Sequence, residues 1–134
     1  MKLLLIPPIL QYRAYPSLLS VSDVGAGWGY ITSSLEQAGH QVFGLQLNNK
    51  PGYATGLALI KDKIPKAIAK VQPDLIGLGG ICTDYAFLRD AINTIRECCK
   101  IPIVLGGGII TNDADIFKIL QPDYGIVGEG EEAI

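Results

Sequence analysis

Glycine-rich segments stand directly after short apolar stretches in this 134-residue chain: Gly79–Gly80, Gly106–Gly108 and Gly128–Gly130. An apolar stretch that ends abruptly in glycine is typical of a strand buried on both faces of a parallel sheet. Open α/β sheets bind ligands outside the carboxyl ends of their strands. Glycine there lets a flat ligand approach the backbone and its amides. The segments therefore predict a ligand site along one sheet edge, although tight strand-to-helix turns would use the same glycines.

Side chains beside these glycines could contact the same ligand. Thr83 could donate a hydrogen bond to a carboxamide, or it could simply precede a helix. Cys82 could present a thiol, although a small buried residue is the more frequent role of a free cysteine. Glu129 and Glu131 would complement the N-terminus of a following helix. Trp28 could form a wall of the site, but we favour a role as a core anchor.

Histidine and cysteine give little support to other chemistry. His40 is the only histidine, and it precedes a predicted strand, which places it at the opposite, amino edge of the sheet. Cys98 and Cys99 stand together at the end of a predicted helix, where packing is the expected role. The cysteines do not have the spacing of a zinc or iron–sulfur site. Hydrolysis, and a metal held by these side chains, are therefore not indicated.

A competing site is the segment Asp23–Gly29, which reads Asp-Val-Gly-Ala-Gly-Trp-Gly. It is similar to the acidic, glycine-rich first motif of S-adenosylmethionine methyltransferases. That motif needs a strand before it and a helix after it, and residues 18–24 could supply the strand. An acidic residue should then end the next strand to hold the ribose hydroxyls, but Gln46 and Asn48 stand there. A plain loop and helix start is therefore the favoured interpretation, and nucleotide binding stays an alternative.

Hydrophobic periodicity predicts alternating strands and helices. Strands are predicted at 2–6, 41–47, 74–79, 101–105 and 124–127. Helices are predicted at 29–38, 57–71, 84–99, from 111 or 112 to 120, and from 131 onward. Asp84 is expected to cap the third helix, and Pro65 to break or kink the second. The alternation predicts an α/β fold: a doubly wound, mostly parallel five-stranded sheet whose strand order switches beside the first strand.

Composition excludes several partner classes. The formal net charge is −2 and the basic residues are scattered, so neither nucleic acid nor a membrane surface is indicated. No apolar run approaches the ~20 residues that cross a membrane. Three cysteines, two of them adjacent, do not form a disulfide framework. We therefore expect a cytoplasmic protein, since reducing compartments keep thiols free.

The chain resembles the cobalamin-binding domain at the front of many radical S-adenosylmethionine enzymes, including the Mg-protoporphyrin IX monomethyl ester cyclase-like family. The similar segments run almost the whole length. They include the opening strand that ends in Pro7 and Pro8, and the stretch Leu35–Val42. The most specific are Pro102–Thr111 and Asp123–Glu131. The resemblance implies a flavodoxin-like domain with the corrin ring over the carboxyl edge of its sheet.

The same resemblance implies which residues contact cobalamin. They come from the loop that follows the first strand and from the glycine segments: Pro7, Pro8, Gly79, Gly80, Cys82, Thr83, Gly106, Gly107, Gly108, Ile109, Gly128, Glu129 and Gly130. The nucleotide tail is expected in a groove beside the third to fifth strands. The Asp-x-His-x-x-Gly motif of cobalamin-dependent mutases and methionine synthases is absent. A base-off cofactor without an axial histidine from this domain is therefore expected.

Radical chemistry in such enzymes belongs to a Cys-x-x-x-Cys-x-x-Cys loop that holds a 4Fe-4S cluster. This sequence has no such loop. We expect the chain to be the amino-terminal part of a longer enzyme whose C-terminal barrel binds the cluster and S-adenosylmethionine. The full enzyme would transfer a methyl group, or rearrange or cyclise a substrate, and this part alone would bind without turnover. A degenerate interaction module that binds no cofactor is a further alternative.

Overall fold

The computed structural model describes residues 1–15, 26–48 and 50–128, which form a parallel sheet between two layers of helices. The strands are β1 (Lys2–Ile6), β2 (Gln41–Gly44), β3 (Leu75–Gly79), β4 (Ile103–Gly106) and β5 (Tyr124–Gly125). The helices are α1 (Ala26–Gln37), α2 (Gly56–Val71), α3 (Tyr85–Cys98), α4 (Gly108–Asn112) and α5 (Asp115–Leu120). Short 3₁₀ turns occupy Tyr12–Ala14 and Cys82–Asp84. The predicted α/β class is confirmed.

The strand order is β2-β1-β3-β4-β5, and every pair is parallel. The chain moves outward from β1 to β2 and then returns to the other side of β1 at β3. The order therefore switches between β1 and β3, as the sequence predicts. Loops at the carboxyl ends of these two strands diverge to opposite faces of the sheet, which leaves a crevice between them.

The main core lies on the face covered by α2, α3, α4 and α5. Its strand residues alternate with period two, as in Leu4 and Ile6 of β1 and Ile76 and Leu78 of β3. The opposite face carries a smaller cluster in which Leu35, Trp28 and Ile31 of α1 pack on Leu3 and Leu5. The larger cluster therefore stabilises the sheet, and the α1 face is covered less completely.

Helix α2 runs through Pro65 without a break. Thr55 caps its start, because the Thr55 hydroxyl accepts a hydrogen bond from the Ala58 N–H (3.1 Å). Ile60, Ile64 and Ile68 are buried along one side and hold the helix on the core. This packing outweighs the lost backbone hydrogen bond of the proline, so the predicted break is wrong.

The segment after β4 also differs from the prediction. A helix capped by Thr111 or Asn112 was expected, but α4 begins at Gly108, directly after the strand, and α5 follows separately. The left-handed φ of Gly107 (90°) makes the immediate turn possible. The strands β2, β4 and β5 end or begin within three residues of their predicted limits.

A Gln-Pro-Asp triplet occurs twice and joins a helix to the next strand in the same way. Gln72 and Gln121 end α2 and α5 in the left-handed conformation, with φ of 53° and 54°. The aspartate that follows each proline caps the neighbouring strand. Asp74 accepts a hydrogen bond from the Lys2 N–H (2.7 Å), and Asp123 accepts one from the Ile103 N–H (2.7 Å). The triplet therefore fixes the amino ends of four strands.

Within the described residues, no helix combines the length and the apolar composition that crossing a membrane requires. The helix predicted from residue 131 lies outside the described residues.

Candidate functional site

A groove of about 350 Å³ lies on the α1 face of the sheet, at the carboxyl ends of β3 and β4. Apart from Val104, its floor is bare backbone. Gly79 of β3 pairs in register with Gly106 of β4. Two residues earlier in each strand, Gly77 pairs with Val104. Alternate residues of a strand share a face, so Gly77, Gly79 and Gly106 all leave the floor without side chains. A flat molecule can therefore lie directly against the strands.

The walls of the groove are hydrocarbon and indole. Trp28 and Ile31 of α1 form one side, and Ile126 lies on the other side, beyond Gly106. Leu5 closes the inner end, because a Cβ added to Gly77 would stand 2.5 Å from the Leu5 Cδ2. A Cβ added to Gly79 would stand 3.7 Å from the Trp28 Cζ2, so the indole lies close over the floor. The groove is therefore narrow, apolar and bounded on three sides.

Gly80 and Gly107 have a structural role, because their loops pack backbone against backbone. A Cβ on Gly107 would stand 2.7 Å from the Gly80 carbonyl oxygen, and a Cβ on Gly80 would stand 2.5 Å from the Asp84 Oδ2. The Ile109 N–H donates to the Gly80 carbonyl (2.9 Å). These contacts join the β3 and β4 loops, so both glycines are required by the turn even though they also border the groove.

Asp84 and Thr111 fix the rim. Asp84 stands at the N-cap position of α3, as predicted, but its carboxylate accepts a hydrogen bond from the Ile81 N–H (2.9 Å) and none from the first turn of the helix. The Thr111 hydroxyl accepts from the Gly128 N–H (3.1 Å) and donates to the Gly107 carbonyl (3.1 Å). Thr111 therefore links the β4 and β5 loops.

The predicted site residues separate into four groups. Those that line the groove are Gly79, Gly80, Gly106, Gly107, Gly108 and Gly128. Cys82 and Thr83 are exposed beside it, so the more frequent buried role of Cys82 is wrong here. Pro7 and Ile109 are buried and Pro8 is half-buried, away from the groove lining. Glu129 and Gly130, like the Asp23–Gly25 part of the competing motif, lie outside the described residues.

A second depression of about 490 Å³ borders the same edge, between the loop after β1 and the 3₁₀ turn that begins at Cys82. Leu10, Arg13, Ile81 and Thr83 are among its lining residues. Ile81 is 58% exposed and lines both depressions, so it forms the ridge between them.

Tyr12 and Asn48 hold the loop after β1 in place. The Tyr12 ring packs edge-on against Phe87, and its hydroxyl donates to Asp90 (2.7 Å). Burial, followed by the hydrogen bond to Asp90, raises the pKa of Tyr12 well above its ordinary value. Asn48 is buried and accepts a hydrogen bond from the Leu10 N–H (2.9 Å). The loop is therefore a fixed border of the site, and the Asn48 amide is committed to holding it.

His40 lies at the amino edge of the sheet, as predicted, with its Nδ1 3.4 Å from the terminal amine of Met1. The groove opens at the opposite edge, so this histidine is remote from it. In the described part of the chain, no three histidine, cysteine, aspartate or glutamate side chains come together as metal ligands. The site can therefore bind and orient a flat apolar group, and the described residues of its lining include no side chain for acid–base catalysis.

Sequence reasoning missed part of the groove, namely Gly77, Ile31 and Ile126, and it favoured the core for Trp28. Trp28 has both roles, since it packs with the small cluster and lines the groove. The spacing of Gly77 and Gly79, two residues apart in one strand, was a usable signal for a bare face. The wall residues carried no such signal.

A family model described as B12 binding domain matches residues 23–134. No curated protein is significantly similar in sequence to the chain.

Solved structures share the fold. The methanol:cobalamin methyltransferase complex MtaBC from Methanosarcina barkeri contains a chain that is 18% identical, with a TM-score of 0.64. The match covers 98% of this chain and 43% of that one. A novel cobalamin-binding protein from Desulfitobacterium hafniense DCB-2 is 14% identical, with a TM-score of 0.63, and the match covers 98% and 54% of the two chains. This chain therefore spans about half the length of the structures it matches.

Proposed function

Because the chain belongs to the B12-binding domain family, we propose that it holds cobalamin at the carboxyl edge of its sheet, with the nucleotide tail of the cofactor in the groove beside Trp28. The observation that carries this proposal is the paired bare backbone of Gly79 and Gly106. An aromatic base that lies flat needs a floor without side chains and apolar walls on either side. The groove supplies both.

The dimensions and chemistry of the groove fit that group. Its volume of about 350 Å³ lies in the range of small-ligand sites. A Cβ on Gly79 would stand 3.0 Å from the Gly106 carbonyl oxygen and 3.7 Å from the Trp28 Cζ2, and a Cβ on Gly108 would contact Ile81 at 3.5 Å. Side chains at these positions would therefore reduce the space available to a ligand.

We assign the remaining contacts by position along the same edge. The loop after β1 borders the opening from Ile9 to Ala14, and the exposed ridge at Ile81, Cys82 and Thr83 lies beside it. We propose that these residues contact the corrin ring. Thr83 can donate a hydrogen bond to a corrin carboxamide. A bound corrinoid supplies a cobalt ion that can carry a methyl group or change its oxidation state. The chain's own residues bind, orient and shield it.

We further propose that cobalamin binds base-off and without a histidine from this chain. The support is the remote position of His40, the only histidine, at the amino edge. A lower base held in the groove would not coordinate cobalt.

The domain would serve as the cofactor-carrying part of a larger enzyme. The sequence resemblance favours a C-terminal radical S-adenosylmethionine domain, which would supply the 4Fe-4S cluster for methyl transfer, rearrangement or cyclisation. The likeness in fold to a chain of the MtaBC methyltransferase complex suggests a different partner, a methyltransferase subunit. The complete coding sequence distinguishes them, because a Cys-x-x-x-Cys-x-x-Cys loop in it would support the first and the absence of that loop the second.

Titration of the 134-residue chain with hydroxocobalamin tests the binding proposal. We expect saturable binding with a base-off absorption spectrum. S-adenosylmethionine serves as the parallel ligand, because it would occupy a site built on Asp23–Gly29. Saturable binding of S-adenosylmethionine without any corrinoid binding would overturn the proposal. A folded chain that binds neither ligand would favour the interaction module.

A further inference from the structure

We propose that Cys98 and Cys99 form a dithiol site for trivalent organic arsenicals, at the edge of the sheet opposite the groove. The two cysteines are consecutive, so their Cα atoms are about 3.8 Å apart. Both carry free thiols, with Cys98 exposed and Cys99 half-buried. The ligand class is an arsenic(III) compound that carries one carbon group and binds two sulfurs. The proposed cofactor site uses neither cysteine, so the dithiol site is independent of it.

The end of α3 places the two thiols side by side. The helix ends at Cys98, and Cys99 leaves it in the extended conformation, with φ of −159° and ψ of 172°. The Ile95 carbonyl accepts hydrogen bonds from the Cys99 N–H (2.9 Å) and from the Cys98 thiol (3.4 Å). Burial, followed by the neighbouring Cys99 thiol, raises the pKa of Cys98. The second of these causes requires the two sulfur atoms to be close to each other.

The turn that carries the pair is held by its surroundings. The Arg96 guanidinium donates to Asp123 (2.7 Å) and to the Ile101 carbonyl (3.4 Å), which joins the end of α3 to the start of β4. Cys99 packs against the main core, whereas Cys98 is exposed. A packing role therefore accounts for Cys99 but not for Cys98. The backbone presents the pair in a fixed place, and a reagent can reach it from the Cys98 side.

The number and position of the donors select the ligand class. Structural zinc takes four ligands, but in the described part of the chain no three histidine, cysteine, aspartate or glutamate side chains come together. The third cysteine, Cys82, follows the carboxyl end of β3, at the opposite edge. Mercury(II) favours two sulfurs on opposite sides of the ion, which neighbouring thiols do not supply. Arsenic(III) with one carbon substituent is pyramidal and takes two sulfurs side by side, as this pair offers them.

The binding step is a condensation without electron transfer. With phenylarsine oxide, two arsenic–sulfur bonds form and the bond between arsenic and oxygen breaks. The oxygen leaves as water together with the two thiol protons, arsenic stays trivalent, and neither sulfur is oxidised. The second arsenic–sulfur bond closes a ring within one molecule. Such linkage strengthens binding about 100-fold or more over that of a single thiol.

Titration of the 134-residue chain with phenylarsine oxide tests the proposal. Free thiols are counted with a colorimetric reagent, and the adduct is identified by mass spectrometry. Of the three thiols in the chain, two should disappear and one should remain. One phenylarsenic group should be added per chain, and an excess of a small dithiol should remove it. The Kd for hydroxocobalamin should be the same with and without the arsenical, because the groove lies at the other edge.

Three variants separate the pair from an isolated thiol. Cys98→Ser removes an exposed sulfur, so it should keep the urea midpoint of the wild type and weaken arsenical binding about 100-fold. Cys99→Ser should weaken it to the same extent. Cys82→Ser is the matched control, because Cys82 is also an exposed thiol but stands apart from the pair. This control should keep the arsenical affinity of the wild type.

Two results would overturn the proposal. One is an adduct that leaves two free thiols, since it would show attachment through a single sulfur. The other is an unchanged arsenical affinity in folded Cys98→Ser, or a loss in Cys82→Ser as large as that in Cys98→Ser. None of these affinity measurements involves cobalamin, so failure of the dithiol site would leave the proposed function intact.

Discussion

Replacing Gly106 by alanine separates ligand contact from folding. The φ of Gly106 lies outside the left-handed region, and a Cβ built there meets only Ile126, at 3.8 Å from its Cβ and 4.0 Å from its carbonyl oxygen. These are ordinary van der Waals distances, so the fold accommodates the methyl group. Alanine in a strand also restricts the unfolded chain, which should raise the free energy of unfolding by about 0.5–1 kcal/mol.

Cofactor binding should respond in the opposite direction. The new methyl group stands on the groove floor, where the proposed function places a flat base against bare backbone. Overfilling of a packed site costs about 1–3 kcal/mol. The Kd for cobalamin should therefore rise by roughly 5- to 150-fold. A more stable protein with weaker binding is the expected result.

The assay is urea unfolding of the free chain together with absorbance titration with hydroxocobalamin. Gly44→Ala is the matched control, because Gly44 also lies in a strand, has nothing within 4 Å of an added Cβ, and is not among the residues that line the groove. The control should gain similar stability and keep its Kd. If Gly106→Ala folds and binds cobalamin with an unchanged Kd, the floor is not a contact surface and the reasoning fails.

Three further substitutions test the account of the fold. Gly107→Ala should lower the free energy of unfolding by at least about 2 kcal/mol, because its φ is left-handed and an added Cβ would clash with the Gly80 carbonyl; an unchanged urea midpoint would contradict this packing. Asp123→Asn should cost little stability. The hydrogen bond from Arg96, followed by the one from the Ile103 N–H, lowers the pKa of Asp123. The contribution of Asp123 to the free energy of unfolding is therefore present above about pH 3.9 and is lost as the pH falls through the pKa of the folded state. Unfolding curves of wild type and variant should therefore converge in acid, and a gap independent of pH would refute this. Gln121→Gly should raise the free energy of unfolding by up to about 1 kcal/mol by relieving a left-handed glutamine, and a lower Tm would argue against it.

Much of the fold follows from local sequence pattern. The apolar stretches that end in glycine predict the central strands, because a strand buried on both faces must be apolar throughout. The break expected at Pro65 did not occur, since the buried Ile60, Ile64 and Ile68 hold α2 on the core more strongly than one lost hydrogen bond destabilises it. Local propensity was overridden there by tertiary packing.

The candidate site was predictable only in part. The glycines after β3 and β4 marked the correct edge, but sequence could not separate those that face the groove from those that allow two loops to touch. Gly106 faces the groove, whereas Gly107 is fixed by its contact with Gly80. The wall residues were harder to predict than the floor, because Trp28 and Ile31 lie on α1, far along the chain from the strands that they face. Their orientation depends on how α1 docks on the sheet, which no local pattern records.

Amide chemical-shift mapping of the chain saturated with hydroxocobalamin tests the central claim most directly, since the bound cobalt(III) is diamagnetic. The proposed function predicts the largest shifts at Gly77, Gly79 and Gly106 and at the indole N–H of Trp28, with little change at His40 on the opposite edge. Shifts confined to other surfaces, or the absence of any shift at saturating cofactor, would contradict the claim that the groove holds the nucleotide tail.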